Sequence, residues 1–195
     1  MRVLRASDYR EMPWKNGGGT TTEIAVFPAG AGLDAFDWRI SMARVESGGP
    51  FSLFPGIDRT LALLDGDGIN LTVGGAIPVG LTVQSEPLPF PADVPTHATL
   101  TGGPVTDLNV MTRRGRAAHS MERITVSGSA EIAVGNGTVV LFCLQGNVTV
   151  VGEKSLRLAA RDALLLGEET VVLRLESAQP ATIFLIRIAS GNHAS

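Results

Sequence analysis

Short apolar segments, each cut off by a glycine or proline cluster, are the feature that most limits what this chain can become. The stretch Asp37–Gly68, DWRISMARVESGGPFSLFPGIDRTLALLDGDG, shows it clearly: Gly48-Gly49-Pro50, Pro55-Gly56 and Asp65-Gly66-Asp67-Gly68 interrupt segments that are each too short for a helix of ordinary length. Such segments read as strands. Successive side chains on a strand point to opposite faces, so Arg39, Ser41 and Ala43 share one face and Trp38, Ile40 and Met42 the other. A guanidinium and a hydroxyl thus ride on a strand whose other face is apolar. Arg59 opens the next strand just after a turn, and two arginines at the mouths of apolar strands point to an anion site.

With 23 glycines and 11 prolines among 195 residues, 44% apolar and 18% charged, the composition suits many short strands and tight turns, so the expected class is all-β. The net charge of −3 comes without a basic block or stripe, which leaves nucleic-acid binding without its electrostatic source. No apolar run approaches the roughly 20 residues that span a bilayer, and MRVLRASDYREM lacks a signal-peptide core. The expectation is a soluble, cytoplasmic protein with no membrane partner. The single cysteine, Cys143, lies in the apolar run Val139–Leu144 and reads as a buried thiol rather than a nucleophile.

In chain order, residues 2–6 read as a strand and Ser7 as the cap of one helical turn ending before Pro13. Pro13-Trp14-Lys15-Asn16-Gly17-Gly18-Gly19-Thr20 lacks the spacing of a phosphate or dinucleotide loop. Its aromatic, cation and amide are what a ligand rim uses, which makes Trp14, Lys15, Asn16, Gly17 and Thr20 candidates. Thr20–Val26 follows as a strand, with Glu23 facing opposite to Thr22 and Ile24. In Val105–Arg114 the alternation sets Asp107, Asn109, Met111 and Arg113 against Leu108 and Val110. Residues 116–122 read as a charged linker, the rest as strand after strand with little polar decoration, and the tail 190–195 as a frayed end.

The two parts of the chain can be superposed by their turns. Thr60–Gly66 with Ile69–Val73 matches Val139–Gly146 with Val148–Val151, and closing strands follow at Asp107–Thr112 and Ile183–Ile188. A short-strand, glycine-turn unit repeated in this way resembles the cupin barrel, and two copies make a bicupin. The expected halves are 1–115, carrying the polar pocket with residues 1–30 completing it, and 116–195, mainly structural.

Four segments carry a closer resemblance: Pro13–Thr20, Trp38-Arg39-Ile40-Ser41, Gly49-Pro50-Phe51-Ser52-Leu53-Phe54-Pro55-Gly56-Ile57-Asp58-Arg59, and Asp107-Leu108-Asn109-Val110-Met111-Thr112-Arg113. In these the chain resembles the HutD/Ves family of cupin-like proteins, some of which are associated with histidine utilisation. Where that family often has Phe-x-Gly-Asp, this chain has Phe90-Pro91-Ala92-Asp93. The resemblance implies a compact bicupin, oligomeric (a dimer, for example), with a pocket for a small acid such as formylglutamate or urocanate and a role in modulating that pathway.

Many cupins hold a metal through a close His-x-His pair, but His97, His119 and His193 are scattered, so no metal or other cofactor is expected. A guanidinium presents a planar fork matched to a carboxylate, so Arg39, Arg59 or Arg113 can clamp an acid, with Lys15 adding charge and Ser41, Ser52 and Asn109 bonding the remainder. Each arginine can equally pair with Glu23, Asp58 or Asp107 as a structural bridge. Trp14, Phe51 and Phe54 serve as walls by packing or stacking. No nucleophilic triad is readable, and Glu23 or Asp107 is a base only if burial raises its pKa. The leading expectation is a binding protein for a small anionic metabolite. The alternatives are a metal-independent isomerase or lyase acting on a related acid, and a protein-interaction module.

Overall fold

The computed structural model describes residues 1–14, 17–135, 137–167 and 171–191. Lys15, Asn16, His193 and most of the tail lie outside the described residues. In chain order the strands are β1 (Arg2–Leu4), β2 (Arg10–Pro13), β3 (Gly19–Phe27), β4 (Trp38–Val45), β5 (Gly49–Pro50), β6 (Ile57–Asp65), β7 (Ile69–Val73), β8 (Val79–Leu81) and β9 (Leu88–Pro91). They continue as β10 (Thr96–Leu100), β11 (Val105–Arg113), β12 (Ala117–Val134), β13 (Thr138–Gln145), β14 (Val148–Val151), β15 (Leu156–Leu158), β16 (Ala163–Leu166) and β17 (Val171–Ser190). The class is all-β. Among the described residues no helix is long and apolar enough to cross a membrane.

The chain divides into two compact units, one of residues 10–118 with 191–195, the other of residues 1–9 with 119–190. In the first, a six-stranded sheet in the order β2-β3-β4-β11-β6-β9 accompanies a four-stranded sheet in the order β5-β10-β7-β8. Alternation decides what lies inside: Ala43, Val45, Leu61, Leu63 and Val105 pack with Ile69, Leu71, Leu81 and Ala98. A second cluster, around Phe36, Ile57, Ala92 and Met111, closes one end. The triple-glycine segment has a steric reason. A Cβ on Gly19 would sit 2.2 Å from the Arg44 carbonyl oxygen and 3.0 Å from the Trp14 ring, so backbone and indole can meet there only across a glycine.

In the other unit one sheet runs β1-β16-β13-β17-β14-β15, with β12 also paired to β17. The internal duplication is visible in the pairing. β6 pairs with β11 as β13 pairs with the end of β17, and β7 pairs with β10 as β14 pairs with the start of β17. One long strand therefore does what β10 and β11 do separately, since no counterpart of the turn at Gly102-Gly103-Pro104 interrupts it. The expected linker at 116–122 is the beginning of β12, because its charged residues alternate outward on a paired strand. Ser190 ends β17 and the Gly191 amide donates to the Arg116 carbonyl, so the expected frayed tail is ordered at its start.

The N-terminus departs from expectation. Rather than completing the first unit, β1 pairs antiparallel with β16, Val3 opposite Leu164, and packs against the core of the second unit. The turn at Ala6–Asp8 is 3₁₀ and has no side-chain cap from Ser7. Asp162 holds it instead: its carboxylate accepts from the Ala6 amide at 3.0 Å, the Ala159 amide at 3.1 Å and the Arg5 guanidinium at 2.7 Å. A contact across more than 150 residues of sequence leaves no local trace. Asp162→Ala would remove the shared partner of two backbone amides and of Arg5 and should lower the stability of this unit by about 1–2 kcal/mol, measured by urea unfolding.

Candidate functional site

The first unit encloses a cavity of about 680 Å³ between its sheets. Cross-strand register composes its floor. Arg39 on β4 and Arg59 on β6 lie on either side of Met111 on β11, Ser41 lies beside Asn109, and Ala43 beside Asp107. Register alone thus brings the polar residues of three strands onto one patch of sheet.

The two guanidinium groups differ in their engagements. Arg39 donates Nε to the Glu23 carboxylate at 2.8 Å and Nη1 to the Ser41 hydroxyl at 3.3 Å, forming a buried ion pair at one wall. Arg59, only 8% exposed, has no carboxylate within ion-pair distance among the described residues. Its guanidinium carbon lies 5.3 Å from the ring centres of Phe51 and Phe54 and 5.8 Å from that of Phe90, and Nη2 reaches the Met111 sulfur at 3.7 Å. Its Nε is buried without a hydrogen-bond partner. Three ring faces hold the cation in place by their quadrupoles, leaving its hydrogen-bonding capacity unspent.

Asp107 is 1% exposed and accepts a hydrogen bond from the Asn109 amide nitrogen, while Asn109 Oδ1 is buried and unpartnered. The floor therefore offers an uncommitted donor on Arg59, an uncommitted acceptor on Asn109 and a carboxyl group between sheets.

Of the residues picked from sequence, Trp14, Arg39, Ser41, Ser52, Phe54, Arg59, Asp107, Asn109 and Met111 line this cavity. Glu23 stands behind Arg39 as its counter-ion. Three candidates fall elsewhere. Gly17 takes a positive φ in the turn while its neighbour Gly18 lines the cavity. Thr20 pairs with Arg44 on the outward parity of β3, and it is Thr21 that faces in and accepts from the Trp14 indole at 2.7 Å. Arg113, at the end of β11, donates to the carbonyls of Phe36 and Asp34 at 2.9 and 2.8 Å, tying down a loop. Lys15 and Asn16 lie outside the described residues. Sequence reasoning left out Phe90 as a third wall around Arg59; its place opposite Arg59 in the β6–β9 register is not readable before the pairing is known. Among the described residues no group of three His, Cys, Asp or Glu side chains is placed to hold a metal ion. His97 points outward from β10.

The HutD family model matches residues 6–185. The chain belongs to the HutD family. It is 35% identical over 178 residues, 90% of its length and 92% of the relative's, to a 21.2 kDa protein of the hutC 3′ region of Pseudomonas putida. Among solved structures, a conserved protein of unknown function from Pseudomonas aeruginosa superposes with a TM-score of 0.90 at 35% identity, over 97% of this chain and 98% of that one. HutD from Pseudomonas fluorescens superposes with a TM-score of 0.84 at 31% identity, again over 97% and 98%. The fold extends to the bicupins: Lactobacillus farciminis oxalate decarboxylase aligns over 96% of this chain and 88% of its own, with a TM-score of 0.68 at 9% identity.

In this HutD-family cavity the charges are set by burial. Loss of solvent lowers Arg59 to about 10, with Arg39 pushing the same way and Asp107 opposing, so the guanidinium stays charged at neutral pH. Burial raises Asp107 to about 7 against the pull of Arg59 and the Asn109 hydrogen bond. A carboxyl group raised on folding holds its proton better in the folded chain, so its contribution to stability is present in acid and declines as pH rises from about 4 to about 7. Asp107→Asn keeps the polar contact without the charge. It should therefore remove a decline of roughly 2–4 kcal/mol between pH 4 and pH 7.5, read from urea unfolding at a series of pH values.

Proposed function

We propose that this HutD-family protein binds a small carboxylate metabolite, of the formylglutamate or urocanate class, in the cavity of its first unit, and that this binding modulates histidine utilisation. The carrying observation is Arg59: a buried guanidinium that, among the described residues, has no carboxylate within ion-pair distance and an unpartnered Nε, on the floor of an open cavity. Asp107 acts on this charge only from beyond ion-pair distance, and a bound carboxylate would add the direct partner through charge-assisted hydrogen bonds. A cavity of about 680 Å³ is within the range that takes small metabolites. The names of the relatives, HutD and a protein of the hutC 3′ region, support the link to histidine utilisation.

A second reading, turnover of the same kind of acid by an isomerase or lyase step, is favoured by one observation: Asp107, in the cavity, is raised to about 7, within reach of acid–base work at neutral pH. Glu23, already engaged by Arg39, is the weaker candidate for base.

Isothermal titration with formylglutamate, urocanate, histidine and glutamate tests the binding reading. Arg59→Met fills the aromatic cage with an uncharged side chain of similar reach. It should leave thermal stability equal or higher while weakening carboxylate binding by about tenfold or more. Binding unchanged by Arg59→Met would exclude this arginine as the anchor, and no heat with any of the four acids would remove the reading. Product formed from a bound acid would decide for turnover.

A further inference from the structure

The cavity floor has a charge balance that one anion alone does not satisfy. Glu23 and Arg39 neutralise each other at 2.8 Å. Among the described residues of the floor that leaves Arg59, positive, and Asp107, whose carboxyl group is buried, takes a hydrogen bond from Asn109 and lies within ion-pair distance of neither arginine. With Asp107 ionised, the floor is neutral before any ligand arrives. A carboxylate then settling on Arg59 would make a buried patch of sheet carry a net negative charge, with the ligand and Asp107 both drawn to one guanidinium.

We propose that the site takes its anion together with a proton, and that Asp107 is the group that receives it. This rests on the carboxylate-binding reading and adds its regulation. The ligand arrives as the carboxylate anion and a proton leaves the buffer for an Asp107 oxygen. The assembled floor then consists of the Glu23–Arg39 pair, the ligand–Arg59 pair and a neutral Asp107. Once protonated, Asp107 can also donate a hydrogen bond.

The surroundings of Asp107 contain little else that could take that proton. β4 contributes Arg39 and the uncharged Ala43, β6 contributes Arg59 and Leu63, and β3, beyond β4, contributes Glu23. From the facing sheet β10 turns Ala98 inward and its exposed His97 outward, while Gly49–Pro50 of β5 brings no titratable side chain. The raised position of Asp107, about 7, puts the exchange at neutral pH, so affinity falls as pH rises through that value.

The probe is N-formylglutamate, whose carboxylates stay ionised from pH 6 to pH 8.5, titrated calorimetrically into the full chain. Binding should weaken by about thirtyfold across that range, and parallel titrations at pH 8 in buffers of different ionisation enthalpy should show nearly one proton taken up per ligand. In Asp107→Asn both effects should vanish. The proton count is read on the unaltered chain, so the outcome does not depend on how well the variant folds. Binding that is independent of pH with no proton uptake overturns the proposal and leaves the carboxylate site standing, as does a pH dependence that persists in Asp107→Asn. No binding at any pH overturns both.

Discussion

A guanidinium held in a cage of three phenylalanine rings, which Asp107 supports only from beyond ion-pair distance, is the constraint around which the first unit is built. Cation–π attraction at 5.3–5.8 Å contributes on the order of 1–2 kcal/mol per desolvated contact, well short of what a buried charge loses on leaving water. Part of the remainder comes from Asp107, whose charge favours the charged guanidinium against burial. Arg39 shows the contrasting solution on the next strand but one: the same side-chain type, equally deep, closed off by Glu23. Arg39 is committed to the fold, while among the described residues Arg59 keeps an Nε without a hydrogen-bond partner, a difference that follows from where each lies in the sheet register.

The duplicated unit carries apolar residues where the first carries polar ones. Asn109 faces Leu61 and Asp107 faces Leu63; at the corresponding places of the other unit Leu185 faces Leu141 and Ile183 faces Cys143. There the interior is filled by Leu141, Cys143, Val148, Leu164, Ile183 and their neighbours. Apolar pairs on these strands join a packed core, while Asn109 and Asp107, each opposite a leucine, bring polar groups to the lining of the first unit's cavity.

How much of this was legible in sequence depended on the range of the interaction. A period of two placed Arg39 with Ser41, and Asp107 with Asn109 and Met111, because alternation is a property of a single strand. It failed where a strand ends: Arg113 keeps the parity of Met111 but lies past the cavity and bonds the loop carbonyls of Asp34 and Phe36. On β3 the residue that faces in is Thr21, the one with the parity of Glu23, whereas Thr20 shares the outward face with Arg44. The attachment of β1 to β16 and the place of Phe90 beside Arg59 depend on pairings between distant segments, which composition and periodicity do not encode.

Ala92 stands where the family resemblance leads one to expect glycine, and the backbone there accommodates it. Ala92 donates its amide to the Ile57 carbonyl and accepts from the Phe54 amide, and it does so without a positive φ, so no glycine is required. Asp93 next to it accepts from the Gly56 amide and from the Arg114 guanidinium, which also reaches Asp58 at 2.7 Å. These bonds pin both ends of the turn that carries Phe54, and Phe54 is one of the three rings around Arg59. The loop at Phe90–Asp93 thus acts on the cavity without entering it: Phe90 supplies one ring directly, and the backbone of Ala92 and the carboxylate of Asp93 fix another. A substitution there matters by whether it moves that turn, because the guanidinium can stay buried and uncommitted only while its rings stay in place.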